Sequence, residues 1–402
     1  MFKYLLTILG ILIVLTNSVL AEEKTQTEEV MTSPAGLPGM RGVPSNIPDV
    51  SVVGDFYGKV SNNETDNERN KLTIREIELA LQGYIYPGMR ADVFLAMHKH
   101  EDHIEPEICE AKVSFLKLFD NFTAEVGKIH INFGKINKVH QHHRPYVDQP
   151  PVITNFLGDH GLVGEGAVLS YLFPLPFFAQ IDIGAWRVPA HEPESEEVEV
   201  SGLTDINGNP INKILVPGEC ENEFGLADEV YTGKLWSSFP TSEKSELELG
   251  ASGATGKGSG YTNHKDEAKV TGLDLTYKLW PSAHTRLIFQ NEILYLVRNI
   301  PTGEIKRSGF YSYLGYRFNK YWSSGLRYDD AEDALPHADD SGNLSVNVSE
   351  RTKSASAIVT RDLTETTQLR LQYKYYFEGP KDVSEGYLQI TFGIGPHSHL
   401  LE

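Results

Sequence analysis

The residues best equipped for chemistry fall into two groups. The first is His98-Lys-His100-Glu-Asp102-His103, an H-x-H-x-D-H spacing that follows the largely apolar stretch 91–97. Imidazoles and a carboxylate at this spacing can hold Zn²⁺ and sharpen a bound water into a nucleophile. The second is His140, His142, His143 and His160, spread through a proline-containing connection with Arg144, Asp148 and Asp159. Neutral imidazole is a common ligand for Zn, Cu and Ni, so this connection is also a candidate divalent-metal site. A plainer expectation stands beside both: polar loops whose histidines hydrogen-bond to acidic neighbours. Residues 192–199 carry five carboxylates and residues 331–340 carry four. Such runs are usually solvated faces, although rings of Asp and Glu favour cations in a pore.

The elements flanking the second group decide between these uses. Before it runs Glu125–Lys135, with Ile129, Ile131 and Phe133 on one face and Lys128, His130 and Asn132 on the other. After it runs Gly164–Phe173. The whole reads as strand, long connection without helical periodicity, strand. A soluble domain seldom carries so long a structureless connection unless it is functional. In an outer-membrane barrel such a loop is ordinary, and it can fold inward to narrow the pore.

The rest of the chain repeats the theme. Leu369, Leu371, Tyr373, Tyr375 and Phe377 alternate with Arg370, Gln372, Lys374 and Tyr376, and Leu388, Ile390, Phe392 and Ile394 alternate with Gln389, Thr391 and Gly393. Segments around Leu273–Leu279 and Phe310–Phe318 do the same. One face suits lipid and the other a wet lumen. Short turns near 87–88, 120–121, 174–176, 240–243, 281–284, 319–320 and 364–366 alternate with connections that are mostly longer and more polar. These include 61–71, 98–107, 136–163, 189–225, 256–267, 299–304, 329–347 and 378–382. The fold expected is all-β, a transmembrane antiparallel β-barrel of about 16 strands over residues 49–396. Its expected pore-lining residues are Lys128, His130, Arg317, Arg370 and Lys374.

Composition narrows the function. The formal net charge is −19, which leaves no basic footprint for nucleic acid and favours a weak cation preference in a pore. Residues 1–21 read as a signal peptide, with a positive start, an apolar stretch and small residues before Glu22. Residues 22–48 read as a flexible periplasmic leader and 397–402 as a short tail. The two cysteines, Cys109 and Cys220, allow either one disulfide or two thiols.

Gly127-Lys-Ile-His-Ile-Asn-Phe-Gly134, followed by Asn137, His140, His142, Pro145-Tyr-Val-Asp148 and Asn155-Phe-Leu-Gly158, resembles a group of porin-like outer-membrane proteins similar to the phosphate-selective porins. Some relatives in that group are tied to zinc-regulated outer-membrane receptors. The resemblance implies a barrel in the outer membrane, contact with its lipid, a homotrimer among its assembly states, and passive or metal-linked uptake of small solutes or ions. The strong acidity departs from the basic ladder of an anion porin, and the chain lacks an aromatic C-terminal residue.

The resulting expectation is a channel and not an enzyme. No cofactor is required, and Zn²⁺ is the ion the histidines would take. The alternative is a secreted zinc-dependent hydrolase, since H-x-H-x-D-H is also the motif of the metallo-β-lactamase superfamily. The glycines that usually follow that motif are replaced here by Ile104-Glu-Pro-Glu107.

Overall fold

The computed structural model describes residues 48–64, 66, 69–100, 103–189, 195–204, 210–217, 226–258, 267–300, 303–334, 337–338, 344–345, 349–379 and 383–396. From Asp49 the chain runs up and down as β1 (Asp49–Ser61), β2 (Lys71–Tyr86), β3 (Met89–His100), β4 (His103–Phe119), β5 (Phe122–His130), β6 (Val163–Leu172) and β7 (Phe178–Val188). A hairpin of β8 (Ser195–Thr204) and β9 (Pro210–Pro217) stands apart. The meander resumes with β10 (Leu226–Ser242), β11 (Ser245–Gly258), β12 (Glu267–Ser282), β13 (Thr285–Ile300), β14 (Gly303–Arg317) and β15 (Trp322–Glu332). A second small pair, β16 (His337–Ala338) and β17 (Leu344–Ser345), precedes β18 (Arg351–Asp362), β19 (Thr367–Glu378) and β20 (Ser384–Ile394).

Sixteen strands among the described residues close into one antiparallel barrel, with β1 hydrogen-bonded to both β2 and β20. Closure satisfies every edge, as a sheet in hydrocarbon must. The period-two alternation has the expected sense. On β19 and β20, Leu369, Leu371, Leu388, Ile390 and Phe392 face outward, while Arg370, Gln372, Lys374, Gln389 and Thr391 are buried inside. Exposed Leu273, Ile293 and Leu314 extend the outer belt. Among the described residues no layers of helix sandwich the sheet, as the hydrolase alternative needs. The signal and tail segments and residues 22–47 of the leader lie outside the described residues, as does Cys220. Cys109 is buried in β4.

Three expectations are corrected. Residues 98–107 are not a long connection. β3 runs through His100, β4 begins at His103, and the two residues pair across a tight hairpin. Likewise β13 and β14 run to Ile300 and from Gly303. Polar residues there extend strands beyond the apolar belt.

The connection after β5 is not devoid of helix. It holds a 3₁₀ turn at Gln141–His143 and a helix, α1 (Pro151–Leu157). Proline at the first helical position costs nothing there, because that N–H has no intrahelical acceptor anyway.

The lumen is not polar throughout. Residues 131–162 fold inward and build an apolar core with the wall. Val152, Ile153, Phe156 and Leu157 of α1 pack in one cluster with Phe133, Tyr146, Val230, Val270, Leu294, Leu296 and Ala331. Inward-pointing apolar residues on β10–β15 therefore exist to cover the infolded segment. Gly309 on β14 permits this approach, since a Cβ there would lie 2.8 Å from Val152 Cγ2.

Candidate pore constriction and histidine cluster

The segment 131–162 is held at its neck, its shoulder and its tip. At the neck, the fully buried Asn137 bridges the two ends. Its amide donates to the carbonyls of Ile131 (2.8 Å) and Leu162 (2.9 Å), and its oxygen accepts from Leu162 N (2.7 Å). One side chain thus reinforces the backbone bond from Ile131 N to Leu162 O (3.0 Å) where β5 and β6 part. The shoulder is Gly134, at φ +57°, where a Cβ would overlap the Glu292 carboxylate. Its N–H donates to Ser252 Oγ at 3.0 Å, and its carbonyl accepts from Lys234 Nζ at 2.5 Å.

The tip is Tyr146-Val-Asp148. Val147 N donates to Gln372 Oε1 at 2.8 Å, and Val147 O accepts from Arg75 Nη1 at 2.6 Å. The Asp148 carboxylate accepts from Arg327 Nη2 and Lys374 Nζ, both at 2.8 Å, and from Gln372 Nε2. The Arg327 guanidinium also lies 4.5 Å from the Tyr146 ring centroid, a cation–π contact. Burial alone would raise the Asp148 carboxyl; Arg327 and Lys374 overrule it and hold it well below the usual carboxylate range. Burial pushes the Tyr146 hydroxyl up and the Arg144 guanidinium down.

The histidines sit against β1–β4, which line the lumen with buried Asp55, Glu76, Glu78, Asp92 and Glu110. His140 Nδ1 lies 2.8 Å from Glu78 Oε2, and His142 Nδ1 lies 3.6 Å from Glu76 Oε2. The imidazole of His140 stands 5.2 Å from that of His130 on β5 and 5.7 Å from that of His142, centroid to centroid. Burial works against a charged His140, but the Glu78 carboxylate outweighs it and holds the imidazole above its usual value. His130 N also donates to Glu110 Oε1 at 2.8 Å.

Beneath the segment, toward the short turns, lies a basic cavity of about 290 Å³. Lys135 and Arg144 of the segment meet Lys278, Arg286, Arg317 and Arg370 of the wall there, with no carboxylate among the lining residues. The lumen is thus acidic along β1–β4 and basic beneath the segment, and His142 and His143 also line the basic cavity.

The residues singled out by sequence separate accordingly. His140 and His142 come together, and the His143 ring lies tilted against that of His142, centroids 4.2 Å apart. His160 is exposed and lines a smaller cavity of about 110 Å³ with His130 and His140. His98, His100 and His103 are placed by backbone alone, His98 directly across from Glu76. Asp102 lies outside the described residues. Arg317, Arg370 and Lys374 stand on the luminal wall. Lys128 pairs with Glu107 at 2.9 Å, apart from the basic cavity.

Sequence reading missed Asn137 as the neck, Gly134 as the shoulder, and Glu76, Glu78 and Glu110 as partners of the histidines. Asn137 and Gly134 were in plain view within the motif. The glutamates gave one usable signal, their polarity at alternate positions of strands that are otherwise apolar.

No protein-family profile matches the chain. An uncharacterized protein of Aquifex aeolicus (strain VF5) is 26% identical over 404 residues, spanning 88% of this chain and 79% of that protein. The anion-selective porin from Comamonas acidovorans superposes with a TM-score of 0.53 at 10% identity, over 86% of this chain and 99% of that one. OmpT, an outer membrane protein of Vibrio cholerae, superposes in its trimer form with a TM-score of 0.51 at 7% identity, over 87% and 100%. At such identities the likeness is one of fold, and the fold is the closed sixteen-stranded barrel of outer-membrane porins.

Proposed function

We propose that this protein is an outer-membrane channel for passive uptake of small solutes or ions. The observation that carries this reading is segment 131–162, which crosses the barrel and leaves ionic walls on either side. The exposed apolar belt would contact outer-membrane lipid, and a homotrimer is the assembly that agrees with the trimer form of the OmpT barrel. No step of diffusion needs catalysis or a cofactor.

The basic cavity revises the expected selectivity. Net charge sums every exterior loop, whereas a permeating ion feels the charges lining its path. Arg286 and Arg370 therefore favour anionic solutes on the short-turn side despite the acidic total, whereas Lys278 and Arg317 pair with Glu248 and Asp362.

A second, metal-linked reading is favoured by the meeting of His140 and His142 with Glu78 and Glu76. In it, zinc entering the lumen encounters His140, His142, His143 and His160 of the segment. His98, His100, Asp102 and His103 at the β3–β4 hairpin would add outer ligands.

Single-channel recording of purified protein in planar bilayers tests the channel. Discrete conductance steps and heat-modifiable migration in detergent gels are expected. Silent bilayers with a correctly folded barrel would overturn it.

A further inference from the structure

The histidine cluster can be read further than a general affinity for zinc. One ligand atom each from Glu78, His140 and His142 lie within 4.8 Å of one another, and all three residues are buried. The same closeness holds for Glu110, His130 and His140. Carboxylate and imidazole ligands about 2.0–2.2 Å from a zinc ion stand roughly 3.3 Å apart at tetrahedral angles. Small side-chain rotations would therefore close the first triad on an ion. A second observation points the same way. Glu78 is 1% exposed, its Oε2 faces His140, and its Oε1 has no hydrogen-bond partner among the described residues. A carboxylate oxygen desolvated without a partner is costly, and a cation removes the cost.

The donor set selects the ion class. Two nitrogens and one carboxylate suit zinc and its neighbours in the first transition row, whereas calcium and magnesium take oxygen shells.

We infer that Glu78, His140 and His142 form a divalent transition-metal site that clasps the infolded segment to β2, with Glu110 and His130 flanking it. The clasp deepens the metal-linked reading but rests on geometry alone, independent of whether solute flows. Its ligands come from two elements, the barrel wall and the segment, so an ion there ties one to the other. It adds to the hold on the Asp148 tip: Arg327 and Lys374 tie the segment to β15 and β19, and metal would tie it to β2. A ligand bound only by the closed arrangement shifts the population toward it.

The test uses the purified full chain in detergent, stripped with chelator and titrated with Zn²⁺ alone by calorimetry. Co²⁺ serves as a spectroscopic stand-in whose visible bands report coordination. One Zn²⁺ per chain should bind in wild type. Affinity should fall at least tenfold in both His142→Ala and Glu78→Gln, and stay within twofold in His284→Ala, which lies at a distant turn. Heat-modifiable migration identifies variants that fail to fold, and Glu78→Gln keeps the side-chain volume if His142→Ala does not assemble. Absence of binding in wild type, or equal binding in folded Glu78→Gln, overturns the site. Conductance recorded without zinc keeps the two readings apart. A conducting barrel that ignores zinc removes the clasp and leaves the channel; a zinc-binding barrel that never conducts does the reverse.

Discussion

Arg327 on β15 grips Asp148 twice, from Nη2 to the carboxylate and from Nη1 to the main-chain carbonyl, each at 2.8 Å. One planar guanidinium therefore fixes both the charge and the backbone of the segment's tip, a use that suits Arg better than Lys. Lys374 adds a second cation on the same carboxylate.

Asp148→Asn should release the tip. It leaves Arg327 and Lys374 buried with part of their compensation gone, a loss on the order of 3–5 kcal/mol for a broken buried pair. Larger and noisier single-channel conductance is expected, with faster proteolysis between residues 131 and 162. Unchanged conductance and protection would show that Asp148 does not hold the segment.

Acid should spare this latch. The folded Asp148 carboxyl lies below its ordinary value, so its contribution is present above the unfolded pKa and is lost only as pH falls through the lower, folded one. At about pH 4, near the ordinary Asp value of ~3.9, conductance and protease protection should match those at neutral pH. A midpoint for release at or above that pH would contradict the assignment.

Leu371 should report the lipid face. Leu371→Arg near the bilayer midplane is expected to cost about 2–4 kcal/mol, measured by denaturant titration into lipid vesicles. Gln372→Leu, on the luminal face, should leave insertion intact and instead loosen the tip. The opposite pattern would reverse the facing of β19.

Selectivity should follow the basic cavity and not the total charge. Reversal potentials in a salt gradient are expected to show anion preference for wild type and a shift toward cations in Arg286→Glu. Cation preference in wild type would return the weight to the acidic loops.

Asn137→Ala should unfasten the neck. Ile131 O loses its side-chain donor, while Leu162 loses both an acceptor and a donor. Only the Leu162 N–H is left without a partner, at about 1–3 kcal/mol, because Phe133 N still donates to Ile131 O and Ile131 N to Leu162 O. Hydrogen exchange at the Leu162 amide should accelerate well beyond that of β6; an unchanged rate would mean that the neck closes without Asn137.

Much of the barrel was legible because period-two alternation reports burial directly. The Leu371–Gln372–Tyr373–Lys374 run could be read in one way only, and the short turns punctuated it. Three features were not legible, for physical reasons. Leu294 and Leu296 face inward against α1, so their strand is apolar on both sides and the alternation fades. α1 spans about two turns at ~3.6 residues each, too few for a helical period to register. His140 and Glu78 are 62 residues apart, and only barrel closure with the segment folded in brings them together. The β3–β4 hairpin was misread because polarity was taken to mean loop, although strands that rise above the membrane are also polar.

The larger apolar cluster of the lumen draws its members from residues between Ile129 and Ile358, and β2–β4 add only a small one of Ala80, Phe94, Ala96 and Cys109. The join between β1 and β20 therefore runs along the polar side, where Gln389 Nε2 donates to both Asp55 oxygens at 2.8 and 3.0 Å. The middle of the chain can gather around its infolded segment as an open, curled sheet with its greasy interior already covered. The two ends meet along a seam that is wettable on its luminal face alone, since Phe56 and Phe392 stack across its outer face.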